Sequence, residues 1–317
     1  MLHLRIFNKS LWLFLSIFFS LSASVSKLPI AQASAYEKDY HRLVMIGDPH
    51  LPGESISAKE DVVKDINSWN DVDRVVVLGD ICSELGTSDE YAYAKQFFSK
   101  VQKTIYFITG NHDYIYEDQK SVKGRKVKGS SVSRKAKLQL FKETFGLSGV
   151  YYSKKVGNYL LVFLSPDDLS SDYLAKISNS QVDWLRSELA GNRETPTMIF
   201  FHAPLKGTLR NYNENANTEN FIAQPHEKIR ETILDNPQIF LWISGHMHTP
   251  ATNESFNSPI NIYENQVTNI HNANINRNTI WTNSLYLYPD KVVVKTYNHK
   301  KGGWMGEMER IIVPTRK

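Results

Sequence analysis

Apolar residues fall along this chain in two rhythms. Short, nearly continuous runs at Arg42–Ile46, Arg74–Leu78 and Thr104–Ile108 alternate with stretches at Lys59–Trp69 and Ser88–Val101, where apolar residues recur every three or four positions. The continuous runs predict strands covered on both faces, and the longer period predicts amphipathic helices. Their alternation predicts βαβ units. The second half repeats the pattern with strands at Thr197–Phe201 and Ile239–Ile243 and helices at Asn179–Leu189 and Gln224–Leu234. Hairpins enter there too: Tyr151–Val156 with Tyr159–Leu164 around Gly157-Asn158, and Trp281–Tyr288 with Lys291–Tyr297 around Pro289-Asp290.

The strand-like runs end alike. Gly47-Asp48-Pro49-His50, Gly79-Asp80, Gly110-Asn111-His112-Asp113, His202-Ala203-Pro204 and Gly245-His246-Met247-His248 each follow an apolar run directly. The 32 residues from Asp48 to Asp80 and the 31 from Asp80 to Asn111 match the length of a βαβ repeat. Loops after parallel strands gather at one sheet edge, so the clusters are expected to meet in space. Carboxylates, an amide carbonyl and imidazoles are the donors that a divalent cation takes. A single histidine in such a sequence is usually a surface or core residue. Five polar clusters in the same position relative to a strand point instead to a metal centre.

Three stretches match no element: Tyr114–Ser133, Lys206–Asn220 and Thr249–Thr279. Each follows one of the polar clusters, which would place it around the mouth of the site, where substrates are selected. The first carries a basic run from Lys120 to Lys137 that includes Lys123, Arg125, Lys126, Lys128, Arg134 and Lys135. It reads either as a surface facing an anionic substrate or as a solvated loop. Cys82, the only cysteine of the chain, stands two residues past Asp80. A small buried residue in the turn is the simpler reading, and no intrachain disulfide can form.

The first 35 residues differ from the rest. Arg5 and Lys9 precede an apolar run at Leu11–Leu21, and Ala33-Ser34-Ala35 has the small-x-small form of a cleavage site, which predicts a signal peptide removed before Tyr36. The apolar run is well short of the ~20 residues of a spanning helix, although an uncleaved anchor is the other reading. Export to the periplasm or the medium is the expected localisation, with the membrane met only during export. Loss of Arg5, Lys9 and Lys27, with no acid before Glu37, takes the formal charge from +4 to +1. A nearly neutral protein lacks the general electrostatic grip of a nucleic-acid binder, so no obligate nucleic acid and no protein partner are expected. With 41% hydrophobic residues among 317, residues 36–317 can form one large domain.

The ordered set Asp48/His50, Asp80, Asn111-His112-Asp113, His202 and His246/His248 resembles the calcineurin-like metallophosphoesterase superfamily. The resemblance implies an α/β fold, a four-layer α/β/β/α sandwich with a binuclear metal centre at the C-terminal edge of the sheets. It implies that Asp48, His50 and His248 hold one metal, that Asn111, His202 and His246 hold the other, and that Asp80 bridges both. The ions would be divalent or trivalent transition metals such as Mn, Fe or Zn, and a hydroxide shared between them would attack a small-molecule phosphoester, a monoester or a diester. His112 would stay off the metals as the catalytic group beside the leaving oxygen, with Asp113 hydrogen-bonded to its ring; a helix N-cap just after the turn is the structural alternative for Asp113. Purple acid phosphatases resemble this layout but have a tyrosine ligand three residues after the bridging aspartate, where this chain has Ser83. The chain has no room for the large C-terminal domain of 5′-nucleotidases, and a single cysteine cannot build the cysteine-rich regions of acid sphingomyelinases. The other readings are a metal-binding scaffold without turnover and a nuclease.

Overall fold

The computed structural model describes residues 38–210, 212–277 and 279–314. The expected signal peptide, Met1–Ala35, and the expected mature start at Tyr36 lie outside these residues. Strands β1 (His41–Ile46), β2 (Val72–Leu78) and β3 (Thr104–Ile108) run parallel, connected through helices α1 (Ile56–Ser68) and α2 (Ser88–Phe98). After β3 come the short α3 (Asn111–Tyr114) and the longer α4 (Ser131–Phe145). The second half begins with a hairpin, β4 (Tyr152–Val156) and β5 (Tyr159–Phe163), followed by α5 (Asn179–Ala190), β6 (Thr197–Phe200), α6 (His226–Leu234) and β7 (Ile239–Ser244). Then follow β8 (Ile262–Tyr263), β9 (Val267–His271), β10 (Trp281–Leu287), β11 (Val292–Asn298) and β12 (Gly303–Ile312).

Two six-stranded sheets result, in the orders β12-β11-β10-β1-β2-β3 and β4-β5-β6-β7-β9-β8. Alternation along each strand assigns its side chains to two faces. Leu43 and Met45 of β1 enter a core between the sheets with Leu161, Phe163, Phe200 and Ile243. Val44 and Ile46 turn to the opposite face and pack on Val62 and Ile66 of α1, with Phe97 of α2 and Phe141 of α4 in the same core. On the far side, Leu160, Ile199 and Trp242 meet Leu185 of α5 and Ile229 and Ile233 of α6. Three apolar cores separating helices, sheet, sheet and helices make a four-layer α/β/β/α sandwich. No helix among the described residues is long and apolar enough to cross a membrane.

Local chemistry fixes the helix starts. Thr87 accepts the Glu90 N–H while the Glu90 carboxylate accepts the Thr87 N–H, closing both ends of a capping box. Ser130 and Ser178 cap α4 and α5 in the same way, each through one N–H three residues on.

Two expectations change. The segment Thr249–Thr279 is not a continuous loop, because β9 lies inside it and adds to the second sheet parallel to β7. The basic run is only partly a loop: its last part is α4, where Arg134 and Lys137 are buried. Arg134 donates to the Gly129 and Ser171 carbonyls, and Lys137 pairs with Asp118 at 2.7 Å. Those two cations brace the chain and are not part of a substrate-facing surface.

Candidate metal centre

The strand ends bring the polar clusters to one place, and the backbone is contorted there. Asp48, His50, Asp80, His246 and His248 all have positive φ, between 43° and 63°. Asp and His tolerate this region better than branched residues, yet each such turn costs on the order of 1–3 kcal/mol and concentrates at functional sites. Glycines make the close approach feasible. A Cβ at Gly110 would collide with the backbone nitrogen and carboxylate of Asp80, and one at Gly245 with the Asp48 carboxylate.

Two groups of donor atoms converge, each within a 4.8 Å span: Asp48, His50, Asp80 and His248 in one, and Asp80, His202 and His246 in the other. Asp80 is common to both. Asn111 joins the second group through its Oδ1, 3.2 Å from His202 Nε2. His50 Nε2 faces His248 Nε2 at 3.2 Å, His248 Nε2 lies 3.5 Å from Asp48 Oδ1, and His202 Nε2 lies 3.3 Å from Asp80 Oδ1.

The outer nitrogens of three of these rings are tied to backbone carbonyls. His202 Nδ1 meets the Leu78 oxygen at 2.8 Å, His50 Nδ1 the Ser83 oxygen at 3.3 Å, and His246 Nε2 the Asn220 oxygen at 3.3 Å. A carbonyl only accepts, so these nitrogens carry a proton; the opposite nitrogens of His50 and His246 bring lone pairs to the cluster, while that of His202 faces Asp80 and offers a lone pair only once its second proton has left. The lone pairs of His50 and His246 therefore meet carboxylates and further imidazoles, an arrangement that a cation satisfies.

The electrostatics agree. Burial pushes His50 down to about 4 and His246 down to about 3, so both rings are neutral at ordinary pH. Burial also acts against a charge on His202, but Asp80 and Asp48 overcome it and push this ring up to about 9. The two carboxylates thus draw positive charge into a buried place. Asp80 itself stays well below the usual carboxylate range, because His202 and His112 outweigh its burial. The donor set fits two transition-metal ions; it does not distinguish among the metals that accept oxygen and imidazole ligands.

His112 and Asp113 are placed differently from each other. His112 stands beside the centre: its main-chain N–H donates to Asp80 Oδ1 at 2.9 Å, and its ring is 16% exposed, with Nε2 4.0 Å from Asp80 Oδ2. Burial shifts this ring below its ordinary value, and Lys126 adds to the shift. The expected hydrogen bond from Asp113 to that ring is corrected by the structure. Asp113 is fully buried and accepts the Cys82 N–H at 2.8 Å and the Gly110 N–H at 2.7 Å, one on each oxygen. It ties the Asp80 loop to the start of α3 from the helix's third position, the N-cap being Gly110, so the N-cap alternative for Asp113 is corrected as well; burial and Asp80 push its carboxyl up to about 7. Cys82 is buried in the turn, and burial raises its thiol well above the ordinary range.

Two further residues belong to the site. Lys59, fully buried on α1, donates to the carbonyls of His50 and Pro52 and to Asn276 Oδ1 at 3.0, 3.2 and 2.6 Å. It holds the Asp48–His50 loop against the Asn-rich segment, and burial pushes it down to about 7. Nothing in the helical pattern around position 59 distinguishes it from a surface lysine. Lys126 places its ammonium 3.2 Å from both His112 ring nitrogens. It lies in the basic run, the one signal that pointed toward it.

The chain is 25% identical over 246 residues to a 3′,5′-cyclic-nucleotide phosphodiesterase of Nostoc sp., covering 76% of this chain and 77% of that one. In fold it is similar to a dimetal phosphatase from Danio rerio, with a TM-score of 0.58 and 15% identity over 88% of this chain and all of that one. It is also similar in fold to GAP50, the anchor in the inner membrane complex of Plasmodium, with a TM-score of 0.57 and 13% identity over 88% and 90% of the two chains. The calcineurin-like phosphoesterase profile matches residues 41–250, which include every polar cluster described above, and the chain belongs to that family.

Proposed function

We propose that this protein hydrolyses small phosphoesters at a two-metal centre in which Asp48, His50 and His248 hold one ion, Asn111, His202 and His246 hold the second, and Asp80 is shared. The observation that carries this reading is the meeting of two donor groups at the single carboxylate of Asp80. Two ions so held would supply an activated water and offset charge on the phosphoryl oxygens. The chain's own part is orientation: the Leu78, Ser83 and Asn220 carbonyls fix which nitrogen each imidazole presents. His112 lies beside the shared carboxylate and outside both donor groups, which supports a role as donor of a hydrogen bond to an ester oxygen. The phosphodiesterase of Nostoc makes 3′,5′-cyclic nucleotides the first substrates to try.

Use of a similar fold by GAP50 of Plasmodium, an anchor in the inner membrane complex, favours a second reading as a scaffold without turnover. The full set of donors supports the enzyme. Export remains part of the proposal, carried by the charged, apolar and small-residue pattern of Met1–Ala35. The test is elemental analysis of the purified protein together with rates on p-nitrophenyl phosphate, bis-p-nitrophenyl phosphate and cyclic nucleotides with Mn, Fe or Zn. About two metal equivalents and chelator-sensitive turnover are expected. Two equivalents with no turnover on any ester would favour the scaffold.

A further inference from the structure

The cations of the basic run have different fates. Lys120 pairs with Glu84, Lys128 with Asp172 and Lys137 with Asp118, while Arg134 is spent on two carbonyls. Lys126 makes no ion pair among the described residues, and its ammonium is directed at His112. Its placement is built. The segment folds back on itself through an antiparallel bridge between Tyr116 and Lys128, the Glu117 N–H to the Val127 carbonyl at 2.8 Å, and the Ser121 N–H to the Arg125 carbonyl at the turn, with mutual Ser121/Arg125 contacts closing the tip. Lys126 sits on the returning arm. The Tyr116 ring braces the ammonium at 5.3 Å, and the Tyr116 and His112 rings are themselves 5.7 Å apart, edge to face.

A neutral imidazole accepts through one nitrogen only, so at most one of the two 3.2 Å approaches is a hydrogen bond. The ammonium has three N–H groups, and at least two remain for another acceptor. His112 stands next to the carboxylate shared by both donor groups, so an acceptor held by Lys126 lies beside the centre. We propose that Lys126 is a substrate-contacting cation that binds a non-bridging phosphoryl oxygen and favours the dianionic phosphoryl group of monoesters over the monoanionic group of diesters. This rests on the phosphoesterase reading above. A fixed positive charge attracts in proportion to the charge it faces, so the dianion gains more from Lys126 than the monoanion does.

The test is calorimetric titration of the metal-loaded protein with inorganic phosphate, mostly dianionic near pH 8, and with dimethyl phosphate as the monoanion. Wild type, Lys126→Met and Lys126→Arg are compared, with metal content measured on the same preparations. Lys126→Met should keep its metals, weaken phosphate binding about tenfold and dimethyl phosphate binding about threefold, and raise KM for p-nitrophenyl phosphate more than it lowers kcat. Lys126→Arg should recover most of the loss, which a merely structural role in the hairpin would not produce. Unchanged phosphate binding by Lys126→Met in a protein whose wild type hydrolyses esters overturns the contact alone. Equal weakening of both anions overturns the preference for dianions. A wild type that holds metal but neither binds phosphate nor hydrolyses any ester removes the phosphoesterase reading, and this inference with it.

Discussion

Two places in this molecule bury polar groups densely, and they do so by opposite rules. Around Arg42, every charge meets its complement. The guanidinium bonds Asp71 at 2.7 Å and Ser284, and lies over the rings of Trp69, Tyr286 and Trp304 at 4.3, 5.1 and 4.9 Å. Nearby, His299 joins Asp65 at 2.7 Å through Nδ1 and Thr282 at 2.9 Å through Nε2. At the strand C-termini complements run short: the His50 and His248 rings face each other nitrogen to nitrogen, and Asp48 and Asp80 repel each other across the same space. Buried polar groups that complement one another stabilise a fold. Buried carboxylates that face each other cost stability until something positive binds between them, so the contrast separates structure from function without reference to any motif.

The comparison breaks first, and most, at Asp80. Asp80→Asn removes the charge that both donor groups share, and the expected loss of turnover is about 10³-fold, or ~4 kcal/mol. Metal content should fall, and the rise in melting temperature on adding metal should shrink with it. Near-native metal content and rate in this variant would dismiss the shared-carboxylate assignment.

Arg42→Met tests the other region. It leaves Asp71 without its buried partner, although this carboxylate is one-third exposed and water takes up part of the loss. With the ring contacts added, about 3 kcal/mol of stability should go, with metal content unchanged. A denaturation series on the metal-loaded protein measures the first, and elemental analysis the second. Metal loss at undiminished stability would erase the distinction between the two regions.

The donor set was legible in the sequence because its logic is local: a glycine, a ligand and a strand end, repeated. Where partners are set by distant chain, the sequence was silent. Asp113 reads as an orienting carboxylate until the fold brings Cys82 N–H to it. The strand β9 is broken to the eye by Asn269, whose side chain is buried and bonded to Leu205 N–H and Ser244 Oγ, so a residue typical of loops fills a core position. Lys126 and Lys59 look like surface lysines because only tertiary contacts aim them.

His271, at the end of β9, follows neither rule. It is 1% exposed; Nε2 contacts the Thr208 carbonyl at 3.0 Å, and Nδ1 has no hydrogen-bond partner among the described residues. Burial pushes its pKa down to about 4. A folded value below the unfolded ~6.5 means that, as pH falls, the unfolded chain takes up a proton that the folded one refuses. Stability from this residue is intact above about 6.5, declines as the pH drops, and stops declining below about 4. At pH 5 the penalty is about 2 kcal/mol. His50 of the metal centre is also pushed down to about 4, so the measurement is the difference between wild type and His271→Leu. That difference should change by about 2 kcal/mol between pH 7 and pH 5, and parallel curves would reject the reading.

The smallest effect is expected where the geometry is most tempting. Asp65, His299 and Thr282 form a carboxylate–imidazole–hydroxyl chain with the spacing of a nucleophilic triad. Reach decides against catalysis: Thr282 is 2% exposed, on β10 between β1 and β11, and the His299 side chain is 1% exposed with Trp69 and Tyr297 rings packed on it. A substrate cannot approach that hydroxyl without opening the sheet. Thr282→Val keeps the shape and removes one neutral hydrogen bond, so it should cost about 1 kcal/mol and leave phosphoester hydrolysis and metal content unchanged. The His299 nitrogen keeps its link to Asp65, which holds the ring in place and limits the damage. A hydrolytic activity on carboxylic esters that survives chelation and vanishes in Thr282→Val would show the chain of three to be a second active site, and would undo the inference that complementary burial marks structure.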